Sequence, residues 1–84
     1  MKISLDGFVF ERSKNPLKKY TVYDKNGKKI TDFGARGYQH YYDRIGVYSS
    51  LNHLDEERKR RYYARHGKRA KRLSAKWFSH RFLW

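Results

Sequence analysis

A chain of 84 residues without cysteine is one small domain at most, with no disulfide, no thiolate nucleophile and no Cys-ligated zinc. Its hydrophobic fraction is 38%, nearly half of it Phe, Trp and Tyr, and no apolar run approaches the ~20 residues that cross a bilayer. The net charge of +13 points to a polyanionic partner.

That charge is unevenly spread. All eight Asp and Glu lie at or before Glu57, whereas Arg58 to Trp84 carries eleven Lys and Arg and no acid. The first 57 residues hold a net of +2 and the last 27 a net of +11. The segment Met1 to Phe10 contains Asp6 and lacks the apolar core of a signal peptide, so an intracellular setting or an assembled particle is expected.

In chain order, Ile3, Leu5, Phe8, Val9 and Phe10 flank Asp6-Gly7 and predict a strand or hairpin arm. Lys14-Asn15-Pro16 is a turn, because Pro16 biases Asn15 away from the helical region. Leu17 to Tyr23 alternates as a strand. Asp24-Lys25-Asn26-Gly27-Lys28 predicts a type I turn with a bulge, Gly27 taking the positive φ. A three-residue loop there sets Val22 across from Ile30, with Lys29 to Phe33 as the returning strand. Gly34-Ala35-Arg36-Gly37 reads as a strand-to-helix corner, since no Lys-Ser/Thr follows at Walker spacing. Tyr38 to Arg44 is expected to be a short helix stopped by Gly46, and Ser49 to His53 a loop.

The next helix has clear ends. Asp55 caps it, Glu56 and Glu57 sit in its positive first turn, and Gly67 follows its last turn. Leu54, Arg58, Tyr62 and Arg65 share one side; so thin an apolar stripe predicts a half-exposed helix. Lys68 to Arg72 is a basic linker. Ser74 caps a final helix from Ala75 to about Leu83. Its rings read either as core or as an aromatic anchor for a partner, the anchor set being Trp77, Phe78, Phe82 and Trp84. Trp77 and Phe78 are expected to pack on Tyr20, Val22 or Ile30, and Phe82 and Trp84 to reach a neighbouring chain. The fold class is α+β: an N-terminal β-hairpin or small antiparallel sheet followed by two or three short helices. Residues 1–84 form a single small basic domain, strand-rich over 1–33, helix-rich over 38–84 and basic from 58.

Chemistry is sparse. His40, His53, His66 and His80 stand 13, 13 and 14 residues apart, with no short-range pair to ligate a metal. Asn52-His53 with Asp55 is a weak nuclease-like corner, and Asp55 is better used as a helix cap. No catalytic, cofactor or metal residue is assigned, and an enzyme is not expected. The polyanion-binding set is Arg58, Lys59, Arg60, Arg61, Arg65, Lys68, Arg69, Lys71 and Arg72, nine of fifteen residues in that stretch. Tyr62 and Tyr63 are placed to stack on bases or sugars.

From Lys19 onward the chain resembles a family of short basic proteins of unknown function encoded by large DNA viruses. The resemblance rests on Lys19-Tyr20-Thr21-Val22-Tyr23; on Phe33-Gly34-Ala35-Arg36-Gly37-Tyr38 with Tyr41 and Asp43; on His53-Leu54-Asp55 with Arg58, Tyr62 and Arg65-His66-Gly67-Lys68; and on Ser74-Ala75-Lys76-Trp77-Phe78-Ser79 with Leu83-Trp84. Met1 to Leu17 lies outside it. The family supplies no catalytic residues; it implies a viral context and a place in the virus particle. The expected function is therefore a non-enzymatic structural component, a minor capsid or cement-like protein docking acidic surfaces through its basic helix and aromatic C-terminus. The alternative is a nucleic-acid-binding protein that condenses or packages the genome. Expected partners are other virion proteins, with DNA or RNA as the alternative. Expected locations are the virion and, during assembly, the host cell interior. A chain with so small a core is expected to draw stability from its assembly.

Overall fold

The computed structural model describes residues 2–84. Asp6 and Gly7 take φ values of +54° and +83°, the two left-handed positions of a type I′ turn, whose twist matches that of the strands it joins. The turn closes β1 (Ile3–Leu5) onto β2 (Phe8–Arg12), with Leu5 opposite Phe8. β3 (Lys18–Tyr23) and β4 (Lys29–Ala35) complete an antiparallel sheet in the order β1-β2-β3-β4.

The predicted β3–β4 turn is present. Gly27 has a φ of +86°, and Asp24 Oδ1 accepts the Asn26 and Lys28 N–H groups at 2.9 Å. The register differs from expectation. Val22 pairs with Thr31 and Tyr23 with Lys29, so Ile30 occupies a bulge between them and is not opposite Val22. The extra residue sets Phe33 opposite Tyr20. Without it Asp32 would face Tyr20, and a carboxylate would point into the core.

Two α-helices follow: α1 (Glu56–His66) and α2 (Ala75–Phe82). The caps are those the sequence predicts. Asp55 Oδ1 accepts the Glu57 and Arg58 N–H groups at 3.0 and 3.2 Å. Ser74 Oγ accepts the Trp77 N–H at 3.2 Å. Each cap is preceded by a leucine at positive φ, Leu54 at +55° and Leu73 at +68°.

The third expected helix, Tyr38 to Arg44, is absent; the stretch is irregular, and a single 3-10 turn, Ser49–Leu51, lies in the expected loop. The reason is tertiary. Tyr42 and Arg44 donate their N–H groups to the Leu83 and Phe82 carbonyls at 3.0 Å, satisfying acceptors that α2 leaves open at its C-terminus. His40 donates its N–H to the Leu51 carbonyl at 3.2 Å and accepts from the His53 N–H at 2.9 Å. Buried Asp43 accepts from the Tyr20 hydroxyl at 2.5 Å and from the Ile45 and Tyr48 N–H groups at 2.9 Å. These bonds replace the i to i−4 ladder that a helix would make. The 38–84 segment is accordingly α-helical only from residue 56.

The core is mostly aromatic. Phe10, Tyr20, Val22, Phe33, Phe78 and Phe82 have no solvent exposure. Phe78 stacks on Phe33 at 5.5 Å and meets Phe8 edge-on at 5.1 Å, while Phe82 meets Phe10 at 4.8 Å. Tyr20 and Val22, expected neighbours of Phe78, belong to the same buried cluster, and Ile30 and Trp77 pack against it. Phe82 corrects the anchor expectation. It lies one turn beyond Phe78, so both rings fall on the sheet-facing side of α2, and neither is available to a neighbouring chain. Trp84 is half-buried, packed against the core cluster within this chain. No helix among the described residues is long and apolar enough to cross a membrane.

Candidate polyanion-binding groove

α1 stands off the sheet and is held by a polar and aromatic clasp. Its one buried residue is Tyr62. The Tyr62 ring stacks on Trp84 at 4.3 Å with 6° between planes. His80 on α2 joins the elements through both ring nitrogens. Nε2 lies 2.9 Å from the Gly67 carbonyl and must donate to it, which leaves Nδ1 to accept the Tyr62 hydroxyl at 2.9 Å. The Tyr63 hydroxyl donates to the His80 carbonyl at 3.2 Å. Burial pushes the Tyr62 phenol up to about 12, and burial lowers the His80 pKa, so both groups are neutral near pH 7.

Between α1, the sheet and α2 this clasp leaves an open groove of about 680 Å³. Arg58, Arg61 and Arg65 line it from α1, spaced along one face over about 10 Å at 1.5 Å per residue. Lys18 of β3 and Lys76 of α2 line it from the body, with Trp84 among the apolar groups of its wall. No Asp or Glu contributes to the lining. Gly34 closes one wall. At a φ of +79°, an added Cβ there would come within 3.0 Å of Leu83 and 3.2 Å of Lys19, so the corner read from sequence is a close-packing site.

Lys19 also belongs to this wall but is only 1% exposed. Its Nζ donates to the Ala35 and Tyr38 carbonyls at 2.7 Å each. Burial lowers its pKa to about 8, opposed by the nearby Asp43 carboxylate. The ammonium is therefore mostly charged at pH 7 and fixes the corner that carries Tyr38.

The acidic side chains are engaged elsewhere. Asp6 pairs with Arg44 at 2.9 Å, Asp32 accepts from Ser13, Thr21 and Lys29, Glu11 accepts from Tyr23, and Glu56 accepts from Tyr41. Asp43 and Asp55 are used by the 43–48 turn and the α1 cap. Near the groove cations, Glu57 lies 3.9 Å from Arg61 in a solvated pair too weak to neutralise it, and the exposed Asp55 carboxylate is close enough to Arg58 to interact with its charge. Lys18, Arg65 and Lys76 have no carboxylate partner among the described residues.

The predicted basic set is thus divided by the structure. Arg58, Arg61 and Arg65 enter the groove, where Arg58 also donates to the Gln39 side chain at 2.8 Å. Lys59 sits over the Tyr41 ring at 4.4 Å, and Arg72 over Trp77 at 5.9 Å. Lys59, Arg60 and Lys68 border a shallower hollow on the far side of α1. Arg69 and Lys71 are exposed in the linker. Lys18, Lys76 and Tyr38 were missed by sequence reasoning. Lys18 and Tyr38 lie far from the basic run in sequence and Lys76 in the next helix, and only the fold brings them together beside α1.

His40 and His53 serve the fold, whereas exposed His66 borders the groove. His40 is fully buried, its Nε2 2.6 Å from Asn52 Oδ1. His53 Nδ1 accepts the Asp55 N–H at 2.9 Å, and its ring faces Trp84 at 5.2 Å. Among the described residues no three His, Asp or Glu side chains gather as a metal site. Comparison with protein-family models, curated proteins and solved structures finds no match for this chain.

Proposed function

We propose that this protein binds nucleic acid non-enzymatically, holding the phosphate backbone in the groove between α1 and the body. One observation carries the reading: five solvent-accessible cations, Lys18, Arg58, Arg61, Arg65 and Lys76, line one concave surface with no Asp or Glu in its lining. Each phosphate neutralised there releases condensed counterions, so affinity falls with salt. Five contacts correspond to a slope of log affinity on log salt of about −3.5 to −4.5. The virus particle is the proposed setting, on the strength of the resemblance, and genome packaging or condensation is the corresponding role.

Measuring binding of a labelled oligonucleotide at several salt concentrations tests this. Replacing Arg61 and Arg65 with Gln is expected to weaken binding and reduce the slope by about 1.5 to 2. Absence of binding at low salt would exclude the reading.

A second reading keeps the minor capsid or cement-like role. Arg60, Arg69 and Lys71 are exposed outside the groove and suit docking on an acidic face of another virion protein. It no longer draws on an aromatic anchor, because Phe78 and Phe82 are core. If it holds, replacing these three with Gln lowers incorporation into particles and leaves groove binding of nucleic acid unchanged.

A further inference from the structure

We infer that the groove takes a single-stranded polynucleotide, one base of which stacks on Tyr38; this rests on the nucleic-acid reading of the same groove. Tyr38 borders the groove and is 72% exposed. Most other large rings near α1 and α2 already have a ring partner: Tyr62 has Trp84, Tyr63 has His80, and Trp77 has Phe78. The Tyr38 ring faces no other ring or cation among the described residues.

The backbone beneath it is held. The Tyr38 carbonyl accepts from buried Lys19 Nζ at 2.7 Å, and the Tyr38 N–H donates to the Ala35 carbonyl at 3.3 Å. Only the side-chain torsions of this ring, and not its backbone, remain to be ordered on stacking, which favours binding. Beside it, Gln39 spends its side-chain oxygen on Arg58 at 2.8 Å and keeps its amide N–H groups to donate to a base edge or phosphate.

The shape selects the strand state. The groove cations come from two sides of the molecule, Arg58, Arg61 and Arg65 from α1 and Lys18 and Lys76 from the body. That arrangement surrounds one phosphate chain. A duplex carries its phosphates on the outside of a wide cylinder and hides its base faces in the stack, so it offers nothing to Tyr38. A cleft of 680 Å³ holds a ligand of drug-like size, about one or two nucleotides of single strand. Charged tracks beside aromatic platforms are how sequence-tolerant single-strand binders work.

Fluorescence anisotropy with end-labelled oligo(dT), oligo(U) and a duplex of equal length tests this on the full chain. Both single strands are expected to bind more tightly than the duplex at the same salt. Tyr38→Ala is expected to weaken single-strand binding by about 5- to 150-fold, the range of one base–aromatic stack, without changing the salt slope. Tyr38→Phe, which keeps the ring, is expected to restore it. Circular dichroism matching the parent protein controls for folding at this exposed position. Equal affinity of Tyr38→Ala and parent, or a duplex bound as tightly as the single strands, overturns the inference. The groove reading then survives if the Arg61 and Arg65 replacements still weaken binding. No binding of any oligonucleotide overturns both.

Discussion

In the sheet and α2, Phe10, Tyr20, Phe33, Phe78 and Phe82 are wholly buried; in α1 no residue is, and only Tyr62, at 8% exposure, comes close. The body is held by ring-on-ring packing. α1 is held by a ring stack, a histidine with two hydrogen bonds and its own caps. A helix in which residues 58–61 are all Arg or Lys has no apolar face wide enough to join a core. Attached at a few points, it keeps its cations in water and still fixes them over the body. Stability and charge are thus assigned to different elements, and the groove lies where they meet.

The sharpest break should come from the body. Phe82→Ala removes a ring packed on Phe10 and Phe78. A buried Phe lost in this way costs about 3–5 kcal/mol, most of the margin of a small domain. Deleting residues 82–84 should likewise unfold the chain, seen as loss of the cooperative circular dichroism melt. A folded truncated chain would show that the terminal rings are dispensable and return them to an anchoring role.

Breaking the clasp should do less. Trp84→Ala removes the stack on Tyr62, worth about 0.5–1.5 kcal/mol beyond the buried area. The body is expected to stay folded while amides of residues 56–66 lose hydrogen-exchange protection and oligonucleotide affinity drops. Uniform loss of protection across sheet and helix would mean that α1 and the body unfold as one unit.

Acid should loosen both regions. His40, His53 and His80 all have pKa values lowered from the ordinary 6.5, chiefly by burial. Lys19 and His53 also disfavour a charge on His40, while Asn52 and Asp43 partly offset them. The unfolded chain therefore binds these protons first. Stability from the neutral rings is full above about 6.5 and is lost as pH falls through the lowered folded values. The melting temperature should drop between pH 7 and pH 5, and His40→Asn should flatten that drop if the buried ring dominates it.

The smallest effect is expected at Leu54, 59% exposed with a φ of +55°. A non-glycine residue there costs about 1–2 kcal/mol, and Gly brings back about 0.5–1 through the freer unfolded chain. Leu54→Gly should thus be neutral to about 1 kcal/mol stabilising in a thermal melt. Clear destabilisation would show that the exposed leucine packs against something in solution.

Several elements were legible because their signals are local. Asp24 to Lys28, Asp55, Gly67 and Ser74 act on backbone groups within four residues of themselves, and all behave as their residue types require. Asp6-Gly7 carried a further signal, the dipeptide of a type I′ turn, which sequence reading treated only as a gap between apolar residues. The basic bias after Glu57 was equally plain, and three of its nine cations reach the groove.

What tertiary structure alone decided depends on partners distant in sequence. Tyr38 to Arg44 has the residues of a short helix, but its N–H groups close the end of α2 some forty residues later. Phe82 sits at an aromatic end that looked free, and its place in the core follows from α2 crossing the strands with Phe10 beneath it. The register of β4 turned on one bulge that exchanged Asp32 for Phe33 against Tyr20. Lys18 and Lys76 join Arg58, Arg61 and Arg65 only because a clasp of Tyr62, His80 and Trp84 holds α1 over the body. Local chemistry sets turns and caps, since their hydrogen bonds close within a few residues. Burial and the gathering of charge are properties of surfaces, and those exist only after the elements have packed.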